Sequence, residues 1–177
     1  LVDKASIANI SDTQSATFDY GDTKVLWQHR TWGTSVNPDY PWAFTLYGEK
    51  GTLWFSTTRY DFYPADGGEG IHADVVYERE KFPEDVTEKM IELHCAPATR
   101  AHMLNFVQAI ESGAKPVADI GEGHISTASC ILANLSMQLG RPLVYDPVKR
   151  EVKEDAQATA LLRRPYRSPW KHPEPDN

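Results

Sequence analysis

Cysteine is nearly absent from this chain, with only Cys95 and Cys130 among 177 residues. The two lie far apart and form no C-x-x-C pair, which excludes a disulfide scaffold and a zinc finger. Each reads as a small apolar residue rather than a nucleophile. Positive charge is also short: 18 lysines and arginines stand against 25 aspartates and glutamates, a formal charge of −7. That balance opposes binding to nucleic-acid phosphates, which depends on cations displacing counterions. Nowhere does an apolar run reach the about 18 residues of a membrane-spanning helix, so no membrane segment is expected. The first ten residues have neither a basic start nor a continuous apolar stretch, and no signal peptide is expected in them. A start at Leu1 without methionine fits a processed chain or a piece of a longer one. The compartment stays open.

The motifs of several chemistries are missing too. There is no P-loop, no G-x-S-x-G and no Cys–His dyad. Gly121-Glu-Gly123-His-Ile-Ser126 looks like a degraded G-x-G-x-x-G, with Asp146 at a plausible distance downstream. Its context fails, however. Only Val117-Ala118 precedes it as an apolar run, Ser126 replaces the third glycine, and Glu122 would repel a pyrophosphate. No dinucleotide site is expected there. Six histidines are present, and His94, Cys95, His102 and His124 invite a metal reading. None of them falls at an H-x-x-x-H or comparable ligand spacing, so no metal site is expected.

What is there divides by period. In Ser15–Tyr20, Ala16, Phe18 and Tyr20 alternate with polar residues, and Lys24–Trp32 runs on beyond a Gly21-Asp22 turn, which predicts a hairpin. Trp42–Tyr47 and Thr52–Ser56 predict a second hairpin about Gly48–Gly51. Arg59–Tyr63 extends that sheet, and Ala73–Glu80 reads as a charged edge strand. A helix is expected over Val86–Leu93. From Pro97 the period changes: Met103, Phe106, Val107 and Ile110 form one helical stripe that Gly113 ends. Ile125, Ala128, Leu132, Leu135 and Leu139 form the next, stopped at Gly140. A short strand at Leu143–Tyr145 and a helix over Asp155–Arg164 follow. Strands first and helices after predict an α+β domain over residues 1–164. Its antiparallel sheet would carry helices on one face and leave the other, rich in aromatics, open for oligomerisation. Residues 165–177 would form a proline-rich basic arm, latched onto its own domain or a neighbouring subunit.

The candidate binding residues are His29, Arg30 and Trp32. A guanidinium beside indoles can hold a sugar hydroxyl or a carboxylate, or pair with a carboxylate across an interface. His29 and Arg30 are neighbours in a strand and point to opposite faces. Trp27, Trp32, Trp42 and Trp54 admit a second reading, a stand-alone carbohydrate-binding module, and a pure oligomerisation domain is a third.

The ordered segments resemble a known family. Thr17-Phe-Asp-Tyr20 with Val25-Leu-Trp-Gln-His-Arg30 is similar to the strands that open the sheet of Gfo/Idh/MocA oxidoreductases. Tyr47-Gly-Glu-Lys-Gly-Thr-Leu53 is similar to that family's hairpin. His102–Phe106, Ile110–Gly113 and Lys115-Pro116 resemble its helix and following turn. Gly123–Ser126 through Gly140–Leu143 resembles the next helix, and Asp146-Pro147 with Leu162–Trp170 resembles the ending of a bacterial branch. The resemblance runs from about Asp12 to Trp170. It implies a C-terminal, substrate-side domain of an enzyme that uses NAD or NADP on a sugar, inositol or related polyol, and a homo-oligomer packed through its sheets. The family's Rossmann glycines, its E-K-P lysine and its Asp/His helix have no matching position here. No catalytic and no cofactor-binding residue carries over, and the chain alone is expected to be inactive.

Overall fold

The computed structural model describes residues 7, 11–35, 37–40, 42–87 and 95–171. The chain divides into two compact units, Leu1–Val117 and Ala118–Asn177. Antiparallel sheets together with helices give the α+β class expected from the change of period.

In the first unit, β1 (Thr13–Asp19) and β2 (Lys24–Arg30) form a two-stranded antiparallel hairpin in which Thr13 faces Arg30 and Asp19 faces Lys24. Its turn is the expected Gly-Asp turn. Gly21 takes φ +83°, and its amide donates to the Asp19 carboxylate at 2.9 Å. The strands β3 (Ala43–Gly48), β4 (Gly51–Ser56), β5 (Arg59–Pro64) and β6 (Ile71–Asp74) follow as a four-stranded meander in sequence order. Gly51 is compulsory in the β3–β4 turn. It adopts φ +150°, and a Cβ there would stand 2.3 Å from the Tyr63 carbonyl and 2.8 Å from the Phe62 ring.

Strand alternation sorts the sheet into two unlike faces. Phe44, Leu46, Leu53, Phe55, Phe62 and Ile71 share one of them, with Phe44 stacked on Phe55 at 5.3 Å. Trp54, Tyr63, Asp61, His72, Arg59 and Asp74 share the other. The edge strand is shorter than the sequence pattern suggests. It ends at Asp74, because after Val75 donates to the Thr58 carbonyl the chain turns back at Glu78, whose carbonyl accepts from the amides of Lys81 and Phe82.

Of the helix expected over Val86–Leu93, only the first residues are described, within the short α1 (Glu84–Thr87); residues 88–93 lie outside the described residues. Asp85 of α1 is buried, and Arg100 of α2 (Ala96–Ser112) donates to its Oδ1 at 2.6 Å. The same guanidinium lies 3.5 Å from the Phe82 ring centroid. A proline in its first turn opens α2, and Gly113 ends it at φ +69°, as the sequence predicts. The stripe of Met103, Phe106, Val107 and Ile110 remains about half exposed.

In the second unit, α3 (Ile120–Leu139) is capped by Asp119 and stopped by Gly140 at φ +67°. Its stripe is covered toward the C-terminal end. Leu135 is buried and Leu132 and Leu139 are half-buried, while Ile125 is exposed. A two-residue hairpin of β7 (Tyr145–Asp146) and β8 (Glu151–Val152) leads to α4 (Ala156–Leu161). The last helix is shorter than the expected Asp155–Arg164. Asp155 is its cap rather than its first residue, accepting from the Ala158 amide at 2.9 Å. Val152 and Ala158 complete the small core, and Thr159 clamps β8 by bonding both the amide and the carbonyl of Val152. Arg141 takes both oxygens of the Asp155 carboxylate, at 2.9 and 3.0 Å, which fixes the loop after α3 to the start of α4.

Candidate functional site

Two polar arrangements stand out in the first unit. The first lies at the end of the β1–β2 hairpin and contains two of the three residues singled out from sequence. Arg30, the last residue of β2, faces Thr13 across the ladder, and Trp32 lies two residues beyond the strand, which is shorter than the expected Lys24–Trp32. The Trp32 indole N–H donates to Thr13 Oγ1 at 2.7 Å, which fixes the ring. Arg30 sits 5.9 Å from the Trp32 ring centroid and donates one N–H to the Thr34 carbonyl at 3.1 Å. His29 pairs in register with Gln14, on the opposite side of the ribbon. The structure therefore brings Arg30 and Trp32 together and leaves His29 apart from them.

The second arrangement was not singled out from sequence. Asp61 on β5 stands directly opposite His72 on β6, and Arg59 opposite Asp74. One Asp61 oxygen accepts the Tyr40 hydroxyl, and the other meets His72 Nδ1 at 2.6 Å. His72 Nε2 meets Asp74 at 2.9 Å. Arg59 lies 3.7 to 3.8 Å from the carboxylates of Asp39, Asp61 and Asp74 and 5.5 Å from the Tyr40 ring centroid. Trp54 meets Tyr40 and Tyr63 edge-on, at 5.6 and 6.2 Å.

The electrostatics follow from these neighbours. Asp74 and then Asp61 hold the His72 imidazole above its usual value, because both ring nitrogens face carboxylates. The Tyr40 hydroxyl, then His72 and Arg59, hold Asp61 below the usual carboxylate range. Burial and the Asp61 charge push the Tyr40 phenol up. Both ring nitrogens of His72 are engaged by carboxylates, so neither is turned outward to exchange a proton with a bound molecule. The chemistry of this cluster is to fasten the segment carrying Asp39 and Tyr40 onto the sheet.

The remaining sequence candidates fall elsewhere. Trp54 lies in β4, Trp27 in β2 on the side opposite Trp32, and Trp42 ahead of β3, so these indoles do not line up on one strand face. Among the described residues, no group of three or more histidines, cysteines or acids is arranged to hold a metal ion, and His94 lies outside them. The glycine-rich segment starts α3, where the Asp119 carboxylate itself accepts from the Gly121 amide at 2.7 Å. A pyrophosphate does not fit a helix start that already holds its own carboxylate and has Glu122 in its first turn. Asp146 closes the β7–β8 turn, accepting from the amides of Val148 and Lys149. Among the described residues no helix is long and apolar enough to cross a membrane.

Comparison with known proteins gives one family. Residues 69–172 match the Gfo/Idh/MocA model described as an oxidoreductase family, C-terminal alpha/beta domain. No curated protein and no solved structure matches the chain. The match begins at Glu69, so β1 to β5, with Arg30, Trp32 and Asp61, lie ahead of the matched segment.

Proposed function

Because the chain belongs to the Gfo/Idh/MocA oxidoreductase family through its C-terminal domain, we propose that it is the substrate-side and oligomerisation domain of an NAD(P)-dependent enzyme acting on a sugar, inositol or related polyol. The family match over residues 69–172 carries this reading. Family members are generally NAD(P)-dependent, and the nicotinamide supplies the hydride chemistry when it is bound. The α3 start does not fit that cofactor, so on this reading a separate nucleotide-binding domain holds it, and these 177 residues shape the other wall of the pocket. Alone they bind without turning over.

The assembly part of the proposal is supported by the apolar sheet face. Phe44, Leu46 and Ile71 are each more than half exposed on it. Contiguous apolar surface of this kind marks a contact surface rather than a solvated one. The occupant proposed is a second copy of the chain, as in a homo-oligomer.

Calorimetric titration with NADH and with a panel of sugars and polyols tests the binding part. Weak binding of a sugar or polyol without NADH binding is expected; tight NADH binding, or no sugar or polyol binding, refutes it. Sedimentation tests the assembly. The chain should self-associate and Leu46→Arg should dissociate it, whereas a strictly monomeric chain at high concentration would remove the oligomer from the proposal.

A further inference from the structure

Resting on the substrate-side reading above, we propose that Arg30 and Trp32 form an anionic-sugar subsite, in which the Arg30 fork takes the carboxylate of a hexuronate whose ring lies on the Trp32 indole.

The first element is a cation that has no carboxylate partner among the described residues. The chain has seven more acids than bases, and Arg59, Arg100 and Arg141 all lie within ion-pair distance of aspartates. Among the described residues no carboxylate lies within ion-pair distance of Arg30, whose guanidinium donates to the Thr34 carbonyl and lies over the Trp32 ring. That single bond holds the guanidinium in place and leaves the other N–H groups of its fork available. A held fork loses less side-chain freedom when a planar carboxylate docks, because its geometry is already set.

The second element is the indole. The Trp32 ring is pinned at its N–H by Thr13 and is 49% exposed. A flat ring of fixed orientation offers the apolar C–H face of a pyranose a surface to stack on. The Arg30 guanidinium lies over the indole, 5.9 Å from its centroid, within reach of a substituent on a pyranose that stacks there. The third element is a missing side chain. Gly33 adopts φ +76°, a conformation that favours glycine, and a Cβ at this position would stand 3.8 Å from Arg30 Nε. Glycine keeps that edge of the fork open. A carboxylate can accept two parallel N–H bonds from such a fork, whereas a hydroxyl accepts one. The acid should therefore bind roughly tenfold tighter than the neutral sugar.

The test follows the Trp32 indole N–H resonance of the full chain, identified by its loss in Trp32→Phe. D-glucuronate, glucose and acetate are titrated in turn. Saturable movement of that resonance is expected with glucuronate, roughly tenfold tighter than with glucose, and with little response to acetate. Arg30→Gln should bring glucuronate down to the glucose level, and Arg30→Lys, which keeps the charge without the fork, should fall between. Equal binding of acid and neutral sugar, an unaffected Arg30→Gln variant, or an equal response to acetate overturns the subsite while leaving the substrate-side reading standing. Binding of no sugar or polyol at all defeats both. Loss of self-association in Arg30→Gln would assign Arg30 to a contact between copies and overturn the subsite.

Discussion

Replacing Arg100 by methionine should destabilise the chain more than any other single change to a cation. The reason is what it leaves behind. Asp85 is 2% exposed, and among the described residues its Oδ2 has no partner while its Oδ1 accepts from Arg100 at 2.6 Å. Arg100→Met keeps an unbranched apolar chain near Phe82 but strands a buried carboxylate. Breaking one side of a buried pair costs about 3–5 kcal/mol. Because the Arg100 side chain is 31% exposed, water can partly reach the site, and the lower end, about 3 kcal/mol, applies. With a urea m-value of about 2 kcal/mol per molar, the unfolding midpoint should fall by about 1.5 M. The double variant Asp85→Leu, Arg100→Met removes both charges and should recover most of that loss, since a buried ion pair and a well-packed apolar pair are often of similar stability. Equilibrium urea unfolding of the four proteins measures the coupling directly. A cost below about 0.5 kcal/mol for Arg100→Met, or a double variant no more stable than that single one, refutes the coupling.

Four further outcomes are expected. The melting temperature should reach a plateau at mildly acidic pH. Asp61 sits below its ordinary 3.8, so its stabilisation is lost as pH falls through its lowered value. His72 sits above its ordinary 6.5, so its share is complete below that pH and lost as pH rises through the raised value. NMR titration should find the His72 pKa lowered in both Asp74→Asn and Asp61→Asn, and more so in the first; an unmoved His72 would refute the network. Gly51→Ala should cost at least about 2 kcal/mol in urea unfolding, because it combines a disfavoured φ with a clash against the backbone of β5. Thr159→Val should cost about 1 kcal/mol, since it leaves the Val152 amide and carbonyl without their shared hydroxyl.

Punctuation carried most of the fold. The Gly21-Asp22 and Gly48–Gly51 turns, the proline at the start of α2, and Gly113 and Gly140 at the helix ends each impose a local backbone geometry that sequence displays directly. Where an element's limit depends on distant hydrogen bonds, the pattern overran it. Residues 75–80 begin with the strand formers Val75, Val76 and Tyr77, yet the chain turns at Glu78, whose carbonyl accepts from the amides of Lys81 and Phe82. Arg30 and Trp32 were read as a pair from a strand expected over Lys24–Trp32; β2 ends at Arg30, and it is the Trp32–Thr13 hydrogen bond that brings the indole to Arg30. The Asp61 cluster was not, because its members come from two strands and a loop and meet only once the β5–β6 register is fixed. A signal did exist: Arg59-x-Asp61 and His72-x-Asp74 place charges at matching period-two positions on either side of a turn. Tyr40 carried no comparable mark.

Among the described residues every ladder joins strands that are consecutive in sequence, through connections of two to six residues. This has a kinetic consequence. Closing such short loops costs little entropy, and isolated hairpins form in about 1–10 μs. The ladders should therefore assemble early and by first-order kinetics, with rates independent of protein concentration. Covering the apolar face of the four-stranded sheet by a second copy, as proposed, needs a collision and must depend on concentration. Refolding after dilution from urea should then separate into a fast phase that ignores concentration and a slower one that accelerates with it. Between them the sheet is complete but bare, and that interval is when aggregation competes.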